Sequence, residues 1–343
     1  MQTKLALSLV YLPILAKIQS LPQDYEVIII GKVLPGDDSQ EWASPYAGAC
    51  WVGVHDSTPY EQGVQLEGFT DLWKLAAVHP ESSARRTTMT EIMDHGTKEQ
   101  VWYAHKVPGF RFLAQGELPQ GALYGMTYQT IVLNPHRFVV WMREHFEAKG
   151  VAFKRAVVRS LGELEGLGHD VLINATGQGA RDLSDIRDAD VVPARMQVIL
   201  ADVPDYDALY IHRGLNGYYS TAFVRGDGTV WVGGVLSYGK ADRTVYADQR
   251  KLLAERARQE QPQVFTSPNL EDWGAIQDHV GIYAVVNNGT EHPKVREEFV
   301  GRQKVIHAYV PVFGAYVCGY GVGRDVATRI GDHVHQMPVS ARL

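Results

Sequence analysis

Two short apolar runs, each ending in a turn that contains glycine, place the strongest constraint on the fold of this chain. Tyr25–Ile30 ("YEVIII") leads into "GKVLPGDDSQEWASPYAGACW", and Val171–Asn174 ("VLIN") leads into "ATGQGARDL". Continuous apolar runs of this length are typical of strands buried on both faces. The glycines that follow them allow a backbone loop to lie against a flat or phosphorylated ligand. The sequence therefore predicts buried strands that carry ligand-binding loops at their ends.

The remaining periodic segments predict a mixture of strands and helices. Further strands are predicted at Gln197–Asp202, Thr229–Gly233 and Lys304–Val310, and helices at Pro135–Lys149, Asp248–Gln261 and Gly323–His335. Asn134, Pro135 and Gly150 supply a cap, a first-turn proline and a stop for the first of these helices. Helices alternate with strands early in the chain and strands dominate later, which indicates an α/β fold with a mixed-sheet part.

Composition and charge exclude several classes of function. With 343 residues, 45% of them hydrophobic, the chain can bury a large core. A net charge of −6 without an extended basic run argues against nucleic acid and anionic membrane as partners. The two cysteines, Cys50 and Cys318, exclude a disulfide framework and favour a reducing compartment. No metal site is predicted, because His333 and His335 have no further ligands clustered nearby in the sequence.

Both glycine-containing segments resemble those of the D-amino-acid oxidase family of FAD flavoproteins. In that family, segments similar to "LPGD", "ASPYAGACW" and "NATGQGA" surround the flavin. Gly125–Leu161 resembles the family's intervening helix-strand passage, and Val305–Ile330 its closing strand and last helix. The resemblance implies a Rossmann-like FAD-binding domain over 1–54, 125–195 and 300–343. It also implies a mixed-sheet substrate domain, interleaved with the first, over 55–124 and 196–299.

The resemblance implies roles for individual residues and partners as well. Tyr219 and Tyr283 stand at positions that line the family's substrate pocket and are the candidate catalytic residues. The candidate cofactor-binding residues are Lys32, Asp37, Ser44, Ala47, Gly48, Val158, Asn174, Thr176, Gly177, Gly314 and Tyr316. The implied partners are FAD, a small-molecule substrate and molecular oxygen, and a homodimer is left open.

The N-terminus departs from the family pattern. In the family, the "LPGD" turn follows the second strand, so 5–20 is expected to be the helix before it, although the apolar run Leu5–Ala16 also has the length of a signal-peptide core. The first strand and its G-x-G-x-x-G phosphate loop are then expected to be missing. Whether they are lost or lie upstream of Met1 is left open. Losing that loop's hydrogen bonds is expected to weaken FAD binding by about a thousandfold.

Two further departures concern the substrate. Tyr283 stands where the family has an arginine that holds the substrate carboxylate, and 310–313 ("VPVF") replaces a loop of small residues. A tyrosine offers one neutral donor where an arginine offers a charged planar fork. The predicted function is an FAD-dependent oxidoreductase acting on a CH–NH group of a non-standard amine or secondary metabolite rather than simple D-amino acids. The alternative is a flavin-free descendant, either a non-oxidative isomerase or cyclase or an inactive ligand-binding protein.

The last three residues suggest a cellular location. Ala341-Arg342-Leu343 resembles the small-basic-leucine address of peroxisomal proteins. A peroxisomal or cytoplasmic location is therefore expected.

Overall fold

The computed structural model describes residues 3–8, 12–20, 25–267, 269–286, 295–309 and 314–336. The chain divides into two compact units, each assembled from separated segments. The first unit comprises Met1–Ser44, Val139–Ala194 and Tyr283–Leu343, and the second comprises Pro45–Phe138 and Arg195–Ile282. The assignment of cofactor binding to one domain and substrate binding to the other stays a prediction.

Strands and helices alternate along the chain before strands become predominant. The strands are β1 (Thr3–Ser8), β2 (Tyr25–Gly31), β3 (Arg85–Met93), β4 (Arg111–Phe112), β5 (Tyr124–Val132), β6 (Ala152–Arg155), β7 (Val171–Asn174), β8 (Val191–Asp202), β9 (Leu209–Arg213), β10 (Tyr219–Val224), β11 (Thr229–Tyr238), β12 (Ala275–Val286), β13 (Arg296–Val300) and β14 (Gln303–His307). The α-helices are α1 (Leu12–Ile18), α2 (Pro59–Val78), α3 (Pro135–Glu147), α4 (Ala247–Glu260) and α5 (Ala315–Gln336). The predicted α/β class with a mixed-sheet part is confirmed.

Within the described ranges, the first sheet has six strands in the order β13-β14-β7-β1-β2-β6. β14, β7, β1, β2 and β6 pair in parallel, and β13 is antiparallel to β14. Leu5, Val27, Ile29 and Ile173 are buried along the central strands. The near-continuous apolar runs of the sequence are therefore explained by burial on both faces of a parallel sheet.

The expectation that the first strand is missing was wrong. Thr3–Ser8 forms β1, which pairs in parallel with two strands. Thr3 lies opposite Tyr25 and Ser8 opposite Ile30 in β2. Leu5 lies opposite Val171 and Leu7 opposite Ile173 in β7. The single helix expected over 5–20 is therefore a strand followed by the short helix α1. Pro13 lies in the first turn of α1, where proline is tolerated, rather than in a helix interior.

Helix α1 packs against α5 through two glycines of α5. A Cβ atom at Gly323 would lie 2.9 Å from the Ile14 Cα and 3.0 Å from the Pro13 carbonyl oxygen, and one at Gly319 would lie 2.9 Å from the Pro13 ring. Because real Cβ atoms do not approach backbone this closely, the packing requires glycine at Gly323.

The second sheet contains, among the described residues, eight strands in the order β12-β8-β11-β10-β9-β3-β5-β4. β3 is parallel to β9 and antiparallel to β5, while β10 is antiparallel to both β9 and β11. Helix α4 packs on β10 and β11, and α2 packs on β3 and β5. In the described part of the chain, we find no helix with the length and apolar character needed to cross a bilayer.

Candidate functional site

The loops that carry most of the predicted cofactor residues meet at one edge of the first sheet. β1, β2, β7 and β14 run in parallel, so their carboxyl ends lie at the same edge. Lys32 and Asp37 follow β2, and Asn174, Thr176 and Gly177 end or follow β7. In open α/β sheets, ligands bind at the carboxyl edge, at the point where the strand order reverses. The fold thus brings these candidates to the edge where a nucleotide cofactor is expected.

Asp37 holds the turn after β2 in shape. Its carboxylate accepts hydrogen bonds from the Leu34 backbone N–H at 2.8 Å and from both terminal nitrogens of Arg155 at 2.6 and 2.8 Å. These bonds lower the pKa of Asp37 to about 2, so it is ionised at neutral pH. Gly36, with φ of +97°, supplies the left-handed residue of the turn. The Nζ of Lys32 lies 2.8 Å from Glu41. Both charged candidates therefore already have protein partners.

Asn174 plays the same part in the loop after β7. Its side chain is fully buried, and its Oδ1 accepts hydrogen bonds from the backbone N–H of Thr176 at 3.2 Å and from its hydroxyl at 2.8 Å. Its Nδ2 lies 3.1 Å from the Nδ1 of His307. Gly177 follows with φ of +58°. A loop fixed from its inner side presents its backbone outward, as a close ligand contact requires.

The other candidates of the first unit have packing roles that the structure makes explicit. The Tyr316 hydroxyl donates a hydrogen bond to the Ser44 carbonyl at 2.9 Å, which ties α5 to the segment after β2. Gly314 precedes α5 with φ of +95°. Val158 packs against the apolar cluster that includes Leu172. Their cofactor roles stay predictions.

Gly48 is small for a reason that the sequence did not indicate. A Cβ atom there would lie 2.6 Å from the ring of Phe223, which stacks on Trp231 with centroids 5.4 Å apart. A protein side chain therefore makes a close approach to this glycine. Flavin contact by Ala47 and Gly48 stays a prediction.

In the second unit, Tyr219 stands directly across the β-ladder from Arg213. Side chains of such a pair project from the same face of the sheet. Burial raises the pKa of Tyr219 to about 12. The phenol is therefore protonated at neutral pH and is suited to donate a hydrogen bond.

Arg213 is bonded to a carboxylate inside the protein. The Glu91 side chain is fully buried, and one of its oxygens accepts a hydrogen bond from Arg213. The other oxygen accepts the Tyr103 hydroxyl at 2.8 Å and the Tyr128 hydroxyl at 2.6 Å. Burial and the negative charge of Glu91 raise the pKa of both tyrosines well above the usual range. His55 extends this group, with its Nε2 3.2 Å from the Tyr103 hydroxyl.

Sequence reasoning named Tyr219 as a candidate, whose catalytic role stays a prediction, and did not name Arg213 or Glu91. A usable signal was present in "TTMTEIM", where Glu91 falls two residues from Met89 and Met93 on a buried strand face. A charged residue at an inward strand position is rare unless it is paired, so it marks a site to be explained.

Tyr283, the other candidate, is half-buried on β12 and belongs to the first unit, whereas Tyr219 belongs to the second. Within the ranges given above, no group of three or more His, Cys, Asp and Glu side chains is arranged to hold a metal ion. The loop 310–313 and the tripeptide 341–343 lie outside the described residues.

Comparison with known proteins decides the family. A family model described as FAD dependent oxidoreductase (DAO) matches residues 25–329. The chain belongs to this family. A D-amino-acid oxidase of Schizosaccharomyces pombe is 26% identical to this FAD-dependent oxidoreductase over 309 residues, covering 87% of this chain and 86% of the relative. A D-aspartate oxidase of Talaromyces thermophilus is 25% identical, covering 84% and 79%.

Solved structures show the same fold at low sequence identity. The L-proline dehydrogenase of P. horikoshii matches this FAD-dependent oxidoreductase with a TM-score of 0.73 at 13% identity, covering 98% of this chain and 96% of that one. A glycine oxidase of Bacillus cereus matches with a TM-score of 0.71 at 14% identity, covering 96% and 95%. The predicted family, oxidoreductase class and FAD as cofactor are thus confirmed, and the flavin-free alternative finds no support.

The described residues fit FAD at two of the places where the family pattern predicts contact. The loops after β2 and β7, around Asp37 and Gly177, would form walls of the site that contact the nucleotide and the flavin. Another such place is the segment between β1 and α1. The sequence has no glycine there, and residues 9–11 lie outside the described ranges. Pro13 in the first turn of α1 also has no N–H for a phosphate oxygen. Weaker phosphate binding than in the family pattern stays a prediction.

Proposed function

We propose that this chain is an FAD-dependent oxidase that breaks the C–H bond next to an amine nitrogen, reduces oxygen to peroxide, and does not use simple D-amino acids as its main substrates. The observation that supports this specificity is the ion pair between Arg213 and Glu91 beside Tyr219. A separate argument, from the sequence alone, is that Tyr283 stands at the position where the family has its arginine.

Charge balance is the reason. A substrate carboxylate binds best to a guanidinium whose positive charge is not already matched. Arg213 contributes one positive charge and Glu91 one negative charge, so this pair sums to zero. Tyr219 and Tyr283 are neutral phenols. The balanced pair of Arg213 and Glu91 gives a carboxylate less attraction than an uncompensated arginine would, and it favours a substrate whose anchoring group is neutral.

The residues have distinct parts in this proposal. FAD, when bound, supplies the acceptor for the hydride that leaves the substrate carbon. Tyr219, kept protonated by a pKa of about 12, donates a hydrogen bond to the substrate. Glu91, held by Tyr103 and Tyr128, fixes the orientation of Arg213, whose remaining N–H groups orient a neutral oxygen of the substrate. We assign Tyr283 the part of a single neutral donor.

Peroxide release with excess FAD tests the proposal. The panel comprises D-alanine, D-aspartate, and primary and cyclic secondary amines without a carboxylate. We expect kcat/KM for the best amine to exceed that for D-alanine by about a hundredfold or more, since a bidentate carboxylate anchor is lost. Tyr283→Arg should shift the ratio toward D-alanine, and Tyr283→Phe should not. Preference of the unmodified protein for D-alanine or D-aspartate would contradict the proposal.

We also propose peroxisomal delivery, on the sequence of Ala341-Arg342-Leu343 alone. A fluorescent protein fused to the N-terminus should give puncta that coincide with a peroxisomal marker. Removal of the three residues should disperse the signal. A diffuse signal from both fusions would refute this part of the proposal.

A further inference from the structure

A cavity of about 410 Å³ in the second unit has a lining rich in arginine. Within the described part of the chain its charged lining residues are Arg85, Arg86, Arg137 and Arg225, and no acidic residue lines it. We name it the arginine cavity. Its other lining residues are small or apolar, so the guanidinium groups are its main polar feature.

Two of the arginines are fixed by burial or by contacts with the rest of the protein. Arg225, directly after β10, is only 3% exposed. Arg85 places its Nη1 2.6 Å from Asp207, while its Nε is buried without a hydrogen-bond partner. A Cβ atom at Gly226 would lie 3.0 Å from that Nε, so a glycine there leaves room for the Arg85 side chain. Gly226 also has a left-handed backbone, with φ of +75°, which favours glycine. The buried Nε of Arg85 is a donor that the protein itself leaves unused.

The other two arginines are more exposed. Arg86 lies over the ring of Trp73 with 4.0 Å between the guanidinium carbon and the ring centroid, and it donates a hydrogen bond to the Trp73 carbonyl at 3.1 Å. Stacking of this kind orients a guanidinium and leaves its other edge available. Arg137 lies in the first part of α3.

The arginines outnumber the carboxylates that interact with them. Asp207 is paired with Arg85, and Asp227 interacts with Arg225 and Arg137. Glu81, next to the lining residue Pro80, is bound to His79. Among the described residues, Arg86 has no carboxylate within ion-pair distance, so its positive charge is not matched by an ion pair. A positive excess in a partly enclosed cavity attracts anions strongly, because the field is concentrated by the surrounding protein.

The cavity is separate from the Tyr219–Arg213 site within the same unit. Tyr219 begins β10 and Arg225 follows its end. A strand of this length spans about 20 Å, which is too far for one small molecule to reach both. The arginine excess is therefore not part of the proposed substrate-binding group.

We propose that the arginine cavity binds a small molecule that carries two or more anionic oxygen groups, either phosphates or carboxylates. Guanidinium forks bind both groups bidentately. The volume lies within the range of about 300–1,000 Å³ that is usual for small-molecule sites, which leaves room for more than one such group. The inference does not depend on which amine the enzyme oxidises.

Calorimetric titration of the FAD-loaded, dialysed protein tests this site. Pyrophosphate and citrate serve as the phosphate and carboxylate probes, at constant ionic strength. We expect saturable one-to-one binding of at least one probe. Arg137→Gln and Arg85→Gln should each weaken it by about tenfold or more, because each removes a charge-assisted contact. The matched control is Arg111→Gln, which removes an exposed arginine paired with Glu117 at 2.8 Å in the same unit, outside the cavity.

The stronger probe identifies the chemical class of the ligand. Because Arg137 is exposed, Arg137→Gln should fold normally and decides the test even if Arg85→Gln does not fold. The proposal is overturned if neither probe gives saturable binding. It is also overturned if Arg137→Gln and Arg111→Gln bind as tightly as the unmodified protein.

Discussion

At the scale of residues, one buried carboxylate, that of Glu91, joins three hydrogen-bond donors in the second unit. Glu91 accepts hydrogen bonds from Arg213, Tyr103 and Tyr128, and its side chain is fully buried. A buried charge is tolerated only when its partners replace the lost water. The three donors therefore act as one unit, and the removal of the central charge affects all of them.

We expect Glu91→Gln to lower the free energy of unfolding by about 3 kcal/mol, because it leaves the charge of Arg213 uncompensated. Urea denaturation measures the loss. The matched control is Glu117→Gln, which breaks an exposed pair with Arg111 and should cost less than about 1 kcal/mol. Equal losses in the two variants would show that the Glu91 cluster contributes no more than a surface pair.

Sequence motifs locate residues whose structural role is local. Asp37 and Asn174 shape turns within three residues of themselves, so the motifs mark both turns, while the cofactor roles of these residues stay predictions. The bond between Arg213 and Glu91 joins residues 122 positions apart. Only the pairing of β3 with β9 brings them together, and no short motif records it.

At the scale of elements, the sequence located strands and helices that have clear ends. The strand Val171–Asn174 was predicted with its observed bounds, and the helix beginning at Pro135 was found with its cap, since Asn134 accepts the Arg137 N–H at 3.4 Å. The division between β1 and α1 was not found. "LALSLVYLPILA" is almost continuously apolar and has no glycine, so its periodicity does not show where the strand ends.

The contact between α1 and α5 gives a matched test on one helix. Gly323→Ala places a methyl group 2.9 Å from the Ile14 Cα, so we expect it to destabilise the protein by about 1–3 kcal/mol. In Gly331→Ala, the added methyl group meets nothing within 4 Å, and higher helix propensity should stabilise the protein by up to about 1 kcal/mol. Thermal unfolding of both variants compares them. A stabilising Gly323→Ala would contradict the observed packing.

A histidine clamp joins α4 to the second sheet. The Nδ1 of His212 lies 2.9 Å from Glu260, the last residue of α4, and its Nε2 lies 2.8 Å from Asp94. Both contacts are hydrogen bonds only when both ring nitrogens carry protons. Glu260 also accepts the hydroxyls of Tyr210 and Tyr218. Although burial acts to lower it, the two carboxylates raise the pKa of His212.

Stability should therefore depend on pH through His212. A raised pKa in the folded state gives stabilisation that is complete below the unfolded value of about 6.5 and is lost as pH rises through the folded value. We expect the thermal midpoint to fall as the pH rises from about 6.5, the unfolded value, through the higher pKa of the folded state. His212→Gln should show a smaller fall. A midpoint that rises over this range, or an unchanged slope in His212→Gln, would contradict this assignment.

At the scale of the whole molecule, we expect FAD affinity to depend on the segment between β1 and α1. The strand β1 is present, so the weaker phosphate binding that we predict rests on the missing glycines of the sequence and on Pro13. We expect the purified protein to contain less than one FAD per chain, measured by visible absorbance. Added FAD should raise the thermal midpoint by mass action. Ser8→Gly, Val10→Gly and Pro13→Gly together restore the G-x-G-x-x-G spacing and should raise occupancy. Full occupancy in the unmodified protein would contradict this expectation.

The order of the segments in the first unit has a consequence for synthesis. α1 is translated long before its packing partner α5 and before the strand β14, which pairs with β7. The nascent chain therefore exposes the face of α1 that packs on α5 until α5 has been translated. Chains terminated before Ala315 would retain β1, β2 and β7 without α5. They are expected to engage chaperones and to be degraded rather than to accumulate as a shortened enzyme.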